Sequence, residues 1–293
     1  MTTSSKLALG TVQFGLDYGV SNPLGKTPQA EVSQILTYAF ERGIQVLDSS
    51  CNYGDAEQAI GNYQQYPFNI ITKTPVFGHT AITSADQAKI VAQFQQSQAL
   101  MPSHQVQSLL LHHGENLLNK NGEWLYQTLL ELKQQGLVKH IGVSIYNAQQ
   151  LRQIIEHFDI DIVQLPFNVL DQQLLHNGVF QQLHKQDIQI HVRSVFLQGL
   201  LLMPLAQLPS YFSPIKPLLM RLANYLEQHN TSALTLAYRF VEQIPEITNI
   251  ICGVNSLAQL KQLTELPQLA IKYNELEQFS IDDPAFTCPV NWR

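Results

Sequence analysis

Side chains able to move a proton stand where apolar runs of the sequence turn polar. Asp48 and Tyr53 come at the end of QVLDSS and just beyond it, Lys73 lies in NIITKTP, and His112 and His113 close VQSLLLHH. A phenol is a weak acid with an ordinary pKa of about 10, so it needs help to give up a proton at neutral pH. An ammonium about 4 Å away, at an effective dielectric near 20, stabilises a phenolate by roughly 4 kcal/mol, at most about three pKa units. Lys73 is the candidate for that task, and a carboxylate such as Asp48 would keep a buried ammonium charged. An imidazole could hydrogen-bond the oxygen that receives the proton, so the set points to acid–base chemistry at an oxygen.

Taken singly, each residue has a plainer role. An Asp at a strand end caps helices, a Tyr packs half-buried, and a Lys is ordinarily a solvated surface amine. Strand alternation lets only one of His112 and His113 face a common centre. The argument rests on the four together, in order, at the ends of three successive strands.

Those strand ends belong to a longer pattern. Short β-branched apolar runs (KLALGT, QVLDSS, NIITKTP, VQSLLLHH, HIGVSIYN, DIVQLPFN, IQIHVRSVF and NIICGV) alternate with segments of helical periodicity such as EVSQILTYAFERG, GEWLYQTLLELKQQG and AQQLRQIIEHF. Gly43 and Gly136 stop two of the helices shortly before the next strand. Alternation of this kind predicts parallel strands, and eight βα units predict a closed (β/α)8 TIM barrel, a single domain over residues 1–293. An open doubly wound sheet is the alternative, but it favours a glycine fingerprint after its first strand, and LGTVQFG has the wrong spacing. In a barrel the carboxyl ends of the strands share one mouth, which would bring the acid, phenol, ammonium and imidazole together.

Composition narrows the partners. The chain has 293 residues, 45% of them hydrophobic, a net charge of −6, and no run of Lys or Arg, which argues against a nucleic acid or an anionic membrane surface. Its longest apolar stretch, SVFLQGLLLMPLAQLPSYF, is broken by Gln198, Pro204, Gln207 and Pro209, so no membrane span is expected. The amino terminus lacks a secretory pattern, and Cys51, Cys252 and Cys288 are odd in number without metal-ligand spacing. A cytoplasmic protein with reduced thiols is expected.

With these residues in view, the sequence resembles the aldo-keto reductases over nearly its whole length. That family's Asp, then Tyr-Gly five residues on, then Glu and Gly appears as Asp48, Tyr53, Gly54, Glu57 and Gly61. Its lysine strand appears as Lys73, its aliphatic run ending in His as LLLH with His112, and GLVKHIGVS, DIVQLPFN and FLQGLL resemble later signatures. The resemblance implies an NAD(P)H-dependent oxidoreductase that reduces an aldehyde or ketone, with Asp48, Tyr53, Lys73 and His112 catalytic and Tyr53 the general acid. Residue by residue it implies that Ser144 and Gln164 hold the nicotinamide carboxamide and that Gly10, Thr11 and Asp48 border the cofactor. It implies that Ser194, Phe196, Gln198 and Gly199 cradle the pyrophosphate, and that Gly253, Val254, Asn255 and Gln259 take the adenosine end. Ile145 replaces an Asn common after Ser144.

Arg193 stands where many relatives place an aromatic that stacks on the nicotinamide. A guanidinium can also stack, can grip a carboxylate or phosphate on the substrate, or can form a structural ion pair. The family commonly carries an Arg or Lys for the 2′-phosphate after its eighth strand, whereas CGVNSLAQLKQL has Asn255 there, Leu263 for a frequent Asn, and Lys261 nearby. The resemblance favours NADP(H), with NAD(H) the alternative.

Phe14, Tyr18, Phe77, Phe167 and Trp292 are candidate pocket residues, and the short tail suggests an open pocket for a small polar carbonyl compound such as a sugar. MPLAQLPSYFSPIKPLL, with four prolines, reads as a loop over the cofactor or as a rigid connector. Three rival functions are weighed. A metal-dependent hydrolase wants His-x-His or carboxylate clusters at strand ends, and none is found. A Schiff-base aldolase would use Lys73 neutral, which Asp48 opposes. A cofactor-binding regulatory subunit keeps the fold without the turnover.

Overall fold

The computed structural model describes residues 6–146 and 148–292. Eight strands, β1 (Leu7–Gly10), β2 (Val46–Asp48), β3 (Asn69–Lys73), β4 (Gln105–Leu111), β5 (His140–Ser144), β6 (Ile162–Pro166), β7 (Gln189–Arg193) and β8 (Ile247–Gly253), pair in parallel. The pairing of β8 with β1 closes the barrel. Six strands fall within the apolar run that predicts them, while β4 begins one residue before VQSLLLHH, at Gln105, and β8 two residues before NIICGV, at Ile247; Asn147, the last residue of HIGVSIYN, lies outside the described residues, as do Met1–Ser5 and Arg293.

Two apolar layers follow from strand alternation. The larger core lies between the barrel and the surrounding helices, with Leu9, Leu47, Ile70, Leu109, Val143, Val163, Val192 and Ile250 facing out against them. A small separate cluster of Ile71, Leu110 and Ile162, with Val46 packed on it, plugs the barrel. Each of these four lies two residues before Lys73, His112, Gln164 or Asp48. Because successive strand side chains alternate faces, the same register that buries the plug places a polar ring above it.

The ring depends on one irregularity. Ile70 pairs with Val106, but Ile71 pairs with Ser108, so a bulge advances β4 by one residue. Without it, Lys73 would pair with Leu109 and His113 would carry the inward parity; with it, Lys73 pairs with Leu110 and His112 does.

The helices Gln29–Glu41 and Glu123–Gln134 end just before Gly43 and Gly136, where the sequence indicates. The four-proline segment has regular structure of its own. It forms 3-10 turns at Leu205–Gln207 and Ser210–Ile215 that lead into the helix Lys216–Gln228. Among the described residues no helix is long and apolar enough to cross a membrane.

Candidate active site

Tyr53 is held in place by backbone packing. Gly54 has a φ of +57°, and a Cβ there would meet the Gly15 carbonyl at 2.4 Å; a Cβ on Gly15 would lie 1.8 Å from the Tyr53 carbonyl. The two glycines let the loop after β2 rest directly on the segment after β1. Just beyond, Glu57 is buried and accepts the Thr72 hydroxyl at 2.6 Å and the Ser97 hydroxyl at 2.9 Å. The helix Ala56–Gly61 is thereby tied to β3 and to the helix Ser84–Leu100. Burial raises the Glu57 carboxyl above its ordinary value, with both hydroxyls opposing.

Above the barrel plug, Lys73 is 2% exposed and Asp48 3%. Lys73 Nζ donates to both Asp48 carboxylate oxygens at 2.8 Å, to the Ser49 carbonyl at 2.9 Å, and at 3.4 Å to Tyr53 Oη. Burial pulls the ammonium pKa down, but the Asp48 charge and the bonds to Asp48 and Tyr53 outweigh it, so the net shift is upward and Lys73 stays charged. The phenol departs from the sequence expectation. Burial is the largest influence on Tyr53 and raises its pKa, while Lys73 only moderates the rise, so the proton is retained at neutral pH.

His112 has a defined tautomer. Asn52 Nδ2 donates to the Thr74 carbonyl at 3.2 Å, which fixes the orientation of the amide, and the same nitrogen lies 2.9 Å from His112 Nδ1. Nδ1 must therefore accept, and the ring proton belongs on Nε2. Ser50 Oγ lies 3.2 Å from the same Nδ1. Burial, followed by the charges of Lys73, His113 and Arg193, lowers the His112 pKa to about 3, so the imidazole is neutral. The sequence reading missed Asn52 and Ser50, which no periodicity or spacing marks. His113 points away, its Nδ1 3.8 Å from Glu115.

These groups line a cavity of about 640 Å³. The seventeen residues assigned from the resemblance to catalysis or the cofactor all border it: Gly10, Thr11, Asp48, Tyr53, Lys73, His112, Ser144, Gln164, Arg193, Ser194, Phe196, Gln198, Gly199, Gly253, Val254, Asn255 and Gln259. Thr11 also has an internal task, its hydroxyl donating to the Asp48 carbonyl at 3.0 Å. Gln164 is fully buried and donates Nε2 to Asp48 Oδ1 at 2.6 Å, which leaves its Oε1 buried without a partner among the described residues.

Arg193 does not form the structural ion pair considered for it, since no carboxylate among the described residues lies within ion-pair distance. Its guanidinium covers the Tyr146 ring at 4.0 Å and donates to the Ile145 carbonyl at 3.2 Å and Ser194 Oγ at 3.3 Å. The loop that follows is backbone-strained, with φ of 60° at Ser194, 46° at Leu197 and 52° at Gln198. Left-handed conformations at three non-glycine residues so close together are costly, and the surrounding structure must hold them.

Of the pocket residues expected from sequence, only Tyr18 lines the cavity. Phe14, Phe77 and Phe167 are core residues, Phe167 packing on Phe180 and Phe240, and Trp292 sits edge-on to Phe212. The tail nonetheless reaches the mouth through Pro289 and Val290, and Leu202, Met203, Pro204 and Gln207 form another wall. Lys261 does not border the cavity; its ammonium lies 5.7 Å from the Tyr38 ring centre. No cluster of His, Cys, Asp or Glu suited to a metal ion occurs among the described residues.

The model of the Aldo/keto reductase family matches residues 6–280. An aldo-keto reductase from Mycobacterium sp. (strain MCS) is 27% identical over 168 residues, 53% of this chain, and that match spans 56% of the relative's length. Among solved structures, the glycerol dehydrogenase AKR11B4 from Gluconobacter oxydans is similar with a TM-score of 0.72 at 16% identity, over 99% of this chain and 94% of that one. The holo form of the aldo-keto reductase AKR11C1 from Bacillus halodurans is similar with a TM-score of 0.71 at 18% identity, over 94% and 91% of the two chains. At these identities the structural likeness establishes the fold.

Proposed function

The chain belongs to the aldo/keto reductase family, and from that premise we propose that it is a nicotinamide-dependent carbonyl reductase in which Tyr53 is the general acid. One observation carries the reading: Lys73 lies within 2.8 Å of Asp48 and 3.4 Å of Tyr53 Oη, on the wall of a cavity that His112 also lines.

A nicotinamide dinucleotide, when bound, supplies the hydride. The residues present suit that group: the unpartnered Gln164 Oε1 is an acceptor for a carboxamide N–H, with Ser144 beside it on the paired strand. Ser194, Val195, Phe196, Gln198 and Gly199 of the strained loop line the cavity and would hold a pyrophosphate. His112 donates from Nε2 to the substrate carbonyl oxygen and orients it. Tyr53 then passes its proton to that oxygen as charge develops there. Lys73 offsets the phenolate left behind, and Asp48 keeps Lys73 charged and fixed. Burial holds the proton on Tyr53 until a stronger base forms beside it, so the raised phenol pKa serves the reductive direction. Alcohol oxidation follows the same path in reverse.

The substrate is read as a small polar carbonyl compound, a sugar being one candidate, because Tyr18, Gln198 and Arg193 give the mouth polar walls. A cytoplasmic setting accords with the three free cysteines.

The test is Tyr53→Phe. Carbonyl reduction over a panel of aldehydes and ketoses should fall by about a thousandfold or more, with nicotinamide nucleotide binding largely intact. Retained turnover in a clean preparation would overturn the assignment. Nucleotide binding by the wild type without turnover on any carbonyl would favour the regulatory-subunit reading.

A further inference from the structure

Within the cavity, charge is distributed unevenly. Lys73 and Arg193 are the Lys and Arg residues among those that line it, and Asp48 is the acid. Lys73 is committed to Asp48. Arg193 is anchored to the Ile145 carbonyl beside Tyr146, and its charge acts on Tyr53 and His112. Both cations therefore serve the end where the proton is transferred. A dinucleotide with its nicotinamide at Tyr53 must run its adenosine half along the remaining walls, and whichever wall it follows, no further Lys or Arg borders it.

Three backbone donors there are also spoken for. At the wall built by Gly253–Val254 and the helix Leu257–Thr264, the Asn255 amide donates to Gln259 Oε1 at 2.7 Å and the Gln259 amide to Ser256 Oγ at 3.2 Å. The Leu257 amide donates to Glu31 Oε1 at 2.6 Å, which places a carboxylate from the helix Gln29–Glu41 against the positive end of this helix. The nearby ammonium groups are turned elsewhere, Lys26 to Asp55 at 2.8 Å and Lys261 toward Tyr38. What faces the cavity is neutral amide: Asn255, Gln259 and Gln262.

A 2′-phosphate is a dianion at neutral pH and needs cations or free N–H groups when it leaves water. A ribose diol needs only neutral donors and acceptors, which amide side chains supply. We infer that the adenosine end of this site is built for an unphosphorylated ribose, so that the protein takes NAD(H) and discriminates against NADP(H), the reverse of the preference suggested by the family resemblance. The inference rests on the nicotinamide reading of the site, and Glu31 and Asn255 are its specificity-determining residues.

The experiment is a pair of direct binding titrations of the purified full chain, by quenching of tryptophan fluorescence, with NADH and with NADPH at about 0.15 M salt. NADH should bind at least about tenfold more tightly. Asn255→Arg should raise NADPH affinity about tenfold relative to NADH, and Glu31→Gln, which keeps the acceptor and removes the charge, should narrow the gap. Equal or tighter binding of NADPH by the wild type would overturn the inference and leave the nicotinamide reading standing. Failure of both nucleotides to bind would overturn both. An Asn255→Arg variant that binds NADH as before but gains nothing for NADPH would remove the discrimination from this wall.

Discussion

At the scale of single residues, the proposed reaction separates groups that would touch the reacting atoms from one that would act through another. Asn52 pins His112 by its hydrogen bonds to Nδ1 and to the Thr74 carbonyl. It is a positioning residue, and its effect is on which nitrogen carries the proton. In Asn52→Ala the ring can turn or take the other tautomer, so kcat/KM should fall by about tenfold while nucleotide affinity stays unchanged. Nitrogen NMR of His112 gives a readout independent of turnover: the wild type should show the Nε2–H form, and a wild-type Nδ1–H form would refute the assignment. The motif made Tyr53, Lys73 and Asp48 legible because each chemical type is rare at a strand end. Asn52 was not legible, since an amide between a Cys and a Tyr has no periodicity or spacing to mark it. The same distinction explains the phenol. Lys73 was visible in the sequence as a cation that would favour ionisation, whereas burial, which outweighs it, is a property of the folded surroundings.

At the scale of elements, the glycine contact between the β1 and β2 loops is the joint on which Tyr53 rests. Gly15→Ala would drive a Cβ to within 1.8 Å of the Tyr53 carbonyl and 2.4 Å of the Ala56 amide, both backbone atoms that cannot move singly. The variant should lose several kcal/mol of stability, on the order of 3, and the fraction that remains folded should turn over more slowly than wild type. Urea unfolding with activity per folded molecule tests this, and a wild-type specific rate in a destabilised variant would detach the joint from catalysis. Strand positions were readable because alternation of apolar and polar residues is local. The choice of His112 over His113 depends on the bulge at Ile70 and Ile71, which exists only in the pairing of β3 with β4. The aromatics assigned to the pocket failed for a related reason: Phe14, Phe77 and Phe167 are apolar enough for either place, and only packing decides.

At the scale of the whole molecule, two buried imidazoles link stability to pH. Burial lowers His112 and His191 to about 3 from an ordinary 6.5. Between those values the unfolded chain binds protons that the folded chain does not, so stability is greatest above about pH 6.5 and falls as pH drops toward 3. At pH 5.5 each group accounts for a loss on the order of 1 kcal/mol. Asp171, raised to about 6 chiefly by burial, acts in the opposite sense and softens the slope. His191, hydrogen-bonded to Asn249 at 3.0 Å inside the barrel, is the cleaner probe. His191→Gln should lose less stability than wild type between pH 7.5 and 5.5 in urea unfolding, and an identical loss would remove His191 from the account. By itself the sequence determined the eight alternating units, the closed barrel they imply, and the four chemical types at its mouth, because hydrophobic periodicity and rare residue types are written locally along the chain. The tertiary structure alone decided which histidine faces in, which proton it carries, and that the cations gather at one end of the cavity, because these depend on register, burial and distance between segments far apart in the chain.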